Sequence, residues 1–514
     1  MVATPRTLRV WVPRLLFGAV LIAVTLGAGG RASRKLLWHD EIVTLAILRQ
    51  PLSELLPMLR SGVDYTPPLF HVATEAGLYM PLPELIALRS VSIAMFVIGL
   101  VGVYVFVSYR GDAWDALAAV CVLALSGAQV FAYEARSYAM LLAFTTLAFV
   151  CWQRAAHPTT PHRSRVVPCV ALALSLAAAV SSHYYAVLLP IPFGVAELVK
   201  LRARRRIDWG IIAAVVTGLS PLLAYLPFIR GGMSQTASFY SAADVRVAIA
   251  SYEKFGVSLI SPTVACTVAV VVTLMLGSRL PATLRAVVPQ RATTPLEDWV
   301  ASLVLLLLPV IALVLAAITG AGYVERYTVA WTVGLAFCVG LVAQRLSRQI
   351  VIAAVVAFAT WLGLRELNAA TYLIRPAIDI QQVYAALQRL PPLPIAVPHP
   401  HVFIQLKHYL PPHVAERVVY VDRPPGSSTP HNDVASTVIV TLRKWYPLEA
   451  ISVETLGTRG PFYLYTPQMY TVDMLLTEGA DLRLLAIDDG DTPFAPNRAE
   501  TGKLYLYEVR MPVR

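Results

Sequence analysis

The chain has 514 residues, 57% hydrophobic and only 14% charged, with a mean hydropathy of +0.62. Soluble domains carry about 25% charged side chains, so a soluble enzyme of this length is excluded. The formal charge of +11 comes in short bursts of Lys and Arg between apolar runs, the pattern that orients a chain in a bilayer, and not one that binds nucleic acid.

A crossing helix needs about 20 mostly apolar residues, because hydrocarbon offers no partner to an unpaired backbone amide. Eleven runs fit, at approximately 11–29, 87–108, 113–132, 136–154, 166–182, 185–199, 209–229, 256–277, 299–320, 327–343 and 350–366. The expected fold class is therefore a multi-pass α-helical membrane protein with about 11 transmembrane helices. With the N-terminus (Arg6, Arg9) in the cytoplasm, the cytoplasmic connections hold Arg110, then Arg154, Arg163 and Arg165, then Lys200, Arg202 and Arg204–Arg206, then Arg279, Arg285 and Arg291, then Arg345 and Arg348. That is the positive-inside pattern. Arg31, Arg34 and Lys35 fall on the other side, in a long first outer loop at about 30–86. A cleaved signal peptide ending near Gly30-Arg31-Ala32 is the alternative reading of the first run. Cys121, Cys151, Cys169, Cys266 and Cys338 lie in or at the ends of apolar runs without C-x-x-C spacing, as packing residues do.

From about 367 to 514 Pro-rich turns separate short β-branched or aromatic stretches: Pro394–Val397, Arg417–Val421, Thr437–Leu442, Phe462–Tyr465, Leu482–Ile487 and Leu504–Val509. Helical periodicity over Asp379–Leu390 precedes them. The division expected is a transmembrane domain over 1–366 and a small α/β domain over 367–514; an odd number of spans puts the latter outside the cytoplasm.

On this topology four segments meet the outer face: Trp38-His39-Asp40-Glu41, Asp64–His71, Tyr133–Tyr138 and Ser182-His183-Tyr184-Tyr185. A fifth, Tyr323–Tyr327, follows. A catalytic site needs convergent ionisable groups, yet each segment also has a plain structural explanation. Asp40 and Glu41 suit a helix cap. Glu134 and Arg136 suit an interfacial ion pair, and Glu325-Arg326-Tyr327 suits an aromatic belt. His183, Tyr184 and Tyr185 suit an aromatic belt, and His71 could simply face solvent.

Their order along the chain is more specific. An Asp-Glu pair follows the first span, and a Pro-Pro-Leu-aromatic turn comes about 25 residues later. An aromatic-x-Glu-Ala-Arg-x-Tyr hairpin and a His-Tyr-Tyr at the next outer exit complete the set. The whole resembles the GT-C glycosyltransferases, in the branch described as RgtA/B/C/D-like or family-39-like, relatives of protein mannosyltransferases and aminoarabinose transferases. The matching residues are best seen in Ala124–Phe149 (ALSGAQVFAYEARSYAMLLAFTTLAF) and Ala178–Leu189, and the likeness spans about 10–370. Thr66 stands before the Pro-Pro pair where family members often have His or Asn.

The resemblance implies inverting transfer of a sugar from a polyprenyl-phosphate donor to an acceptor hydroxyl on a glycan, lipid or protein, outside the cytoplasm of a bacterial inner or plasma membrane. Such a reaction needs a carboxylate base for the acceptor hydroxyl, accommodation of an oxocarbenium-like centre and cationic neutralisation of the leaving phosphate. The resemblance assigns the base to Asp40, then Glu41. Glu134 would orient the acceptor, Arg136 and Arg326 would clamp the phosphate, and His183, Tyr184 and Tyr185 would donate to phosphate or sugar. No cofactor is fixed by the sequence; a divalent cation, with Glu134 and His71 as candidate ligands, is the alternative means of neutralisation. Two other readings stay open, a lipid or polysaccharide transporter or flippase, and a ligase using a polyprenyl-diphosphate glycan donor. Nearly charge-free span interiors, with ionisable residues at outer ends, favour an interfacial site over a transmembrane path.

Overall fold

A computed structural model describes residues 5–157, 162–235, 244–277, 294–320, 322–371, 384, 387–421, 430–467, 469–488 and 504–512. Arg279, Arg285 and Arg291 and most of Asp379–Leu390 lie outside the described residues. The chain folds as two compact units, one of Met1–Ser33, Thr66–Leu226 and Ser241–Arg375, the other of Arg34–Tyr65, Pro227–Tyr240 and Pro376–Arg514.

The first unit is helical. Among the described residues nine helices are long and apolar enough to cross a membrane, and a tenth span is a pair, Leu296–Leu306 and Leu308–Thr319, bent by 58°. The remaining expected span, 113–132, is built differently from the others. Only Ala113–Leu125 is α-helical, and Gly127–Ala132 continues as a 3₁₀ turn. Ser126 turns to extended backbone there, with its hydroxyl donating back to the Leu123 carbonyl at 2.8 Å. Gly127 runs so close to a neighbouring helix that an added Cβ would sit 2.5 Å from the Lys254 carbonyl oxygen. A short helix plus a tight turn thus carries the chain into the Tyr133–Arg136 hairpin.

Burial sorts the spans. Tyr138–Ala156 and Glu325–Ala343 are 78% and 72% buried in their apolar windows, against 11% for Val245–Val272. The first two form the centre of the bundle, and the last leaves its apolar surface for a bilayer to cover. The centre is aromatic: the Phe106 and Phe337 rings pack tilted at 4.0 Å, and those of Phe149 and Phe193 at 4.7 Å. Small residues let backbones approach. At Gly102 an added Cβ would fall 2.2 Å from Thr146 Oγ1, and at Gly334 2.5 Å from the Leu306 amide nitrogen.

The bend has an identifiable cause. Pro309 lacks the N–H that would pair with the Leu305 carbonyl four residues back. The Tyr252 hydroxyl donates to the Leu306 carbonyl at 2.9 Å and satisfies an acceptor at the break.

At one rim of this unit the basic residues of the connections are paired. Arg110 Nε donates to Asp298 at 2.9 Å, Arg204 to Glu297 at 2.9 Å and Arg348 to Asp115 at 3.2 Å. Arg165 pairs with Asp208, and Lys200 with Glu197 at 2.8 Å. At the other rim Arg31 pairs with Glu366, Arg326 with Tyr138 and Lys254 with Glu325.

The second unit is α/β. Its six-stranded sheet contains β1 (Ile395–Val397), β2 (Val418–Val421), β3 (Ala450–Ile451), β4 (Phe462–Thr466), β5 (Asp481–Asp488) and β6 (Leu504–Arg510) in the order β3-β2-β1-β4-β6-β5. The first four are mutually parallel, while β6 is antiparallel to both β4 and β5. All residues of β1, β2 and β4 are buried, the mark of strands covered on both faces. Thr437–Leu442, expected as a strand, instead ends the helix Pro430–Leu442. Ala435, Val438, Ile439 and Leu442 are its buried residues, at helical spacing; packing of that face outweighs the β-branched composition. The first outer loop contributes the helices His39–Leu48 and Leu52–Arg60, the former packed on Pro400–Tyr409. Leu37 is fixed there at both backbone groups: its N–H donates to Tyr409 Oη at 2.6 Å, and its carbonyl accepts from Gln405 at 3.0 Å.

Candidate active site

In the second unit Asp40 and Glu41 open the helix His39–Leu48 and separate into two roles. Glu41 is fully buried and accepts the Trp38 backbone N–H at 3.4 Å, the reciprocal half of a capping box. Asp40 keeps 22% of its side chain exposed, and its Oδ1 lies 3.2 Å from His39 Nδ1. Two carboxylates that look alike in sequence thus become a buried structural cap and a partly exposed group. Nearby in sequence, burial and then the charge of Asp64 push the Tyr65 phenol up from its ordinary value.

In the first unit Arg136, His183, Tyr185 and Arg326 come together. The bundle delivers them from three places: the hairpin after Gly127–Ala132, the break between the helices ending at Ser182 and beginning at Tyr184, and the 3₁₀ turn Glu325–Thr328. The His183 ring lies 5.2 Å from Tyr138, 5.3 Å from Tyr327 and 6.1 Å from Tyr185. Arg326 Nε donates to Tyr138 Oη at 3.0 Å, and Tyr185 Oη donates to the Gly322 carbonyl. His183 Nδ1 accepts the Tyr185 backbone N–H at 3.2 Å, which leaves the neutral ring with its proton on Nε2, a donor. Burial, and then the positive charges of Arg136 and Arg326, push His183 down to about 3. Burial likewise pushes the neighbouring Tyr323 phenol up to about 12. The cluster is two guanidinium groups, a neutral imidazole donor and a set of phenols, suited to an anionic oxygen ligand.

The other expected residues are placed differently. Tyr184 turns to Tyr225, edge-on at 6.3 Å. Glu134 is half-buried beside Tyr133. His71 is fully buried in Pro68–Leu78, a helix whose first residue is the second proline of the Pro-Pro pair. Among the described residues no three His, Cys, Asp or Glu side chains are placed to hold a metal ion.

Sequence reasoning missed a second cluster. Glu366 is fully buried and accepts from Arg31 at 2.5 Å, from Gln129 at 2.8 Å and from Arg365 at 2.9 Å. Arg365 also donates to the Ala124 carbonyl at 2.8 Å, and Arg31 lies over the Tyr133 ring at 5.5 Å. The network ties the first and last spans to the hairpin that carries Glu134 and Arg136. Its signal was visible: Arg31 broke the positive-inside pattern, and an Arg-Glu pair closed the last apolar run.

A buried neutral histidine has a pH signature. The folded value of about 3 lies below the ordinary 6.5, so the unfolded chain binds the extra proton. The stability this contributes is complete above about pH 6.5 and is lost as pH falls toward 3, amounting to about 2 kcal/mol by about pH 5. Melting curves of wild type and His183→Gln at neutral and mildly acid pH should converge at the lower pH; a constant gap would show His183 to be solvated.

Comparison with solved structures supplies the fold. The crystal structure of ArnT from Cupriavidus metallidurans in the apo state aligns with a TM-score of 0.54 at 13% identity, covering 97% of each chain. The structure of the same protein bound to undecaprenyl phosphate aligns with a TM-score of 0.54 at 15% identity, covering 97% of this chain and 98% of that one. The chain has the fold of ArnT. The likeness covers both units and agrees with the fold class expected from the sequence, a multi-pass α-helical membrane protein with a small C-terminal α/β domain. No family model and no curated protein sequence matches the chain.

Proposed function

We propose that the protein is an inverting glycosyltransferase that moves a sugar from a polyprenyl-phosphate donor to an acceptor hydroxyl on the outer face of a bacterial inner or plasma membrane, with its N-terminus cytoplasmic and its C-terminal domain outside. The observation that carries the reading is the Arg136–His183–Arg326 cluster within an ArnT fold, given that one ArnT structure was crystallised bound to undecaprenyl phosphate. In this reading Arg136, Arg326 and the Nε2–H of His183 receive the phosphate, with Tyr185 and Tyr184 on the donor side. The apolar spans accept the polyprenyl tail. Asp40 takes the proton of the acceptor hydroxyl as its oxygen attacks the anomeric carbon; Glu134 orients the acceptor. The bond from the anomeric carbon to the phosphate oxygen breaks, its electron pair leaves with polyprenyl phosphate, and the configuration inverts. The leaving group departs already ionised and needs cations in place of an acid.

The test is purified protein in detergent with radiolabelled polyprenyl-phosphate sugars and a membrane-lipid extract as acceptor. Label should pass to acceptor without any gradient. Failure to consume every such donor, combined with gradient-driven movement of lipid-linked glycan in vesicles, would establish the transporter instead. In the active protein Arg136→Ala should raise the donor KM about tenfold or more, from one lost charge-assisted hydrogen bond, with an unchanged melting temperature. Loss of expression would mark Arg136 as a structural ion-pair partner.

A further inference from the structure

The sheet of the second unit has a topological switch point. From β1 the chain turns to β2 on one side, and from β4 it proceeds toward β5 on the other, while β1 and β4 are adjacent and parallel, with Ile395 opposite Tyr463 and Ala396 opposite Leu464. In open α/β sheets the crevice beyond the carboxyl ends of such a strand pair is where ligands bind. Here β1 ends at Val397 and is followed by Pro398-His399-Pro400-His401, which opens the helix Pro400–Tyr409. β4 ends at Thr466 and leads into the helix Met469–Thr477.

Three histidines collect at this edge. The His401 ring lies 5.4 Å from His399 and 4.7 Å from His39, and His39 Nδ1 is the atom facing Asp40. His39 is 4% exposed, and its other nitrogen, Nε2, is buried with no hydrogen-bond partner among the described residues. Thr471 Oγ1, in the helix that follows β4, is buried in the same state. Buried polar atoms so placed call for a partner, which ordered water or a bound polar molecule can supply. The chemistry at the edge selects its class. Flat imidazole faces suit the C–H face of a sugar ring, and their nitrogens suit its hydroxyls. The Asp40 carboxylate disfavours a phosphate or another anion.

We propose that the carboxyl edge of β1 and β4, with His39, His401 and Thr471, is the binding site for a carbohydrate acceptor, which presents its hydroxyl to Asp40. The inference rests on the transferase reading and deepens it, since it assigns the second unit to acceptor selection.

The experiment uses the full chain in lipid nanodiscs with histidines ¹³C-labelled at Cε1, titrated separately with methyl glycosides of common hexoses and pentoses and with inorganic phosphate. At least one glycoside should shift the His39 and His401 signals saturably in the millimolar range. Thr471→Val, which removes one hydroxyl and keeps the volume, should weaken that binding about tenfold. His401→Asn serves to assign the His401 signal. A response to phosphate but to no glycoside, or to neither, overturns the proposal, as does unchanged affinity in Thr471→Val. Neither donor nor turnover is involved, so the two readings fail separately: shifts without sugar transfer keep the site and reject the transferase, and transfer without shifts does the reverse.

Discussion

Asp40→Asn is expected to lower the rate of sugar transfer by about 10²–10⁴-fold, the usual contribution of a positioned general base. The amide keeps the size of the carboxylate and can still accept from His39 Nδ1, 3.2 Å away, so the local fold should persist. What it cannot do is take a proton from an acceptor hydroxyl. The loss should therefore appear in kcat, with donor KM and melting temperature close to wild type. Glu41→Gln gives the contrast. Glu41 caps its helix from a fully buried position, so its replacement should show first in stability. Undiminished transfer by Asp40→Asn in a labelled-donor assay would remove Asp40 from the mechanism, and equal kinetic losses at both positions would contradict the division of roles.

The second large effect concerns Glu366. This carboxylate is fully buried and holds Arg31, Arg365 and Gln129 together. Glu366→Ala would strand two guanidinium groups without their counter-charge, and breaking a buried pair this way costs about 3–5 kcal/mol. Glu366→Gln keeps the volume and one acceptor oxygen and should be milder. Thermal unfolding in detergent should rank wild type above Gln above Ala. Because Arg31 also lies over Tyr133, next to Glu134, a surviving Gln variant should show altered acceptor KM. An alanine variant that melts with wild type would mean that the two arginines are satisfied without Glu366.

Much of the architecture was legible because bilayer physics leaves few options. Runs near 87–108, 136–154 and 350–366 could only be spans, and they are close to the helices Glu84–Ser108, Tyr138–Ala156 and Arg348–Ala370. The run at 113–132 concealed its break because hydropathy is blind to backbone geometry: Ser126 and Gly127 end the α-helix, yet neither interrupts the apolar count. Thr437–Leu442 misled for the opposite reason, its β-branched composition masking a helical spacing that packing then used.

For the site, chain order grouped Arg136, His183, Tyr185 and Arg326, which the bundle does bring together. It did not reveal Glu366, whose partners lie 335 and 237 residues away. Nor could it separate Asp40 from Glu41, because adjacent carboxylates on a helix differ only in which way they point. The switch point was invisible as well, since it depends on strand order, which no local pattern encodes.

The bend at Leu307 limits how this molecule can move. A break in a crossing helix becomes a joint only if its loose acceptor can trade partners as the angle changes. Here Tyr252 grips the Leu306 oxygen, and Gly334 lets a neighbouring backbone press against the same turn. The 58° bend is thus braced from two sides, by a hydroxyl that holds its freed oxygen and by a backbone that fills its inner angle.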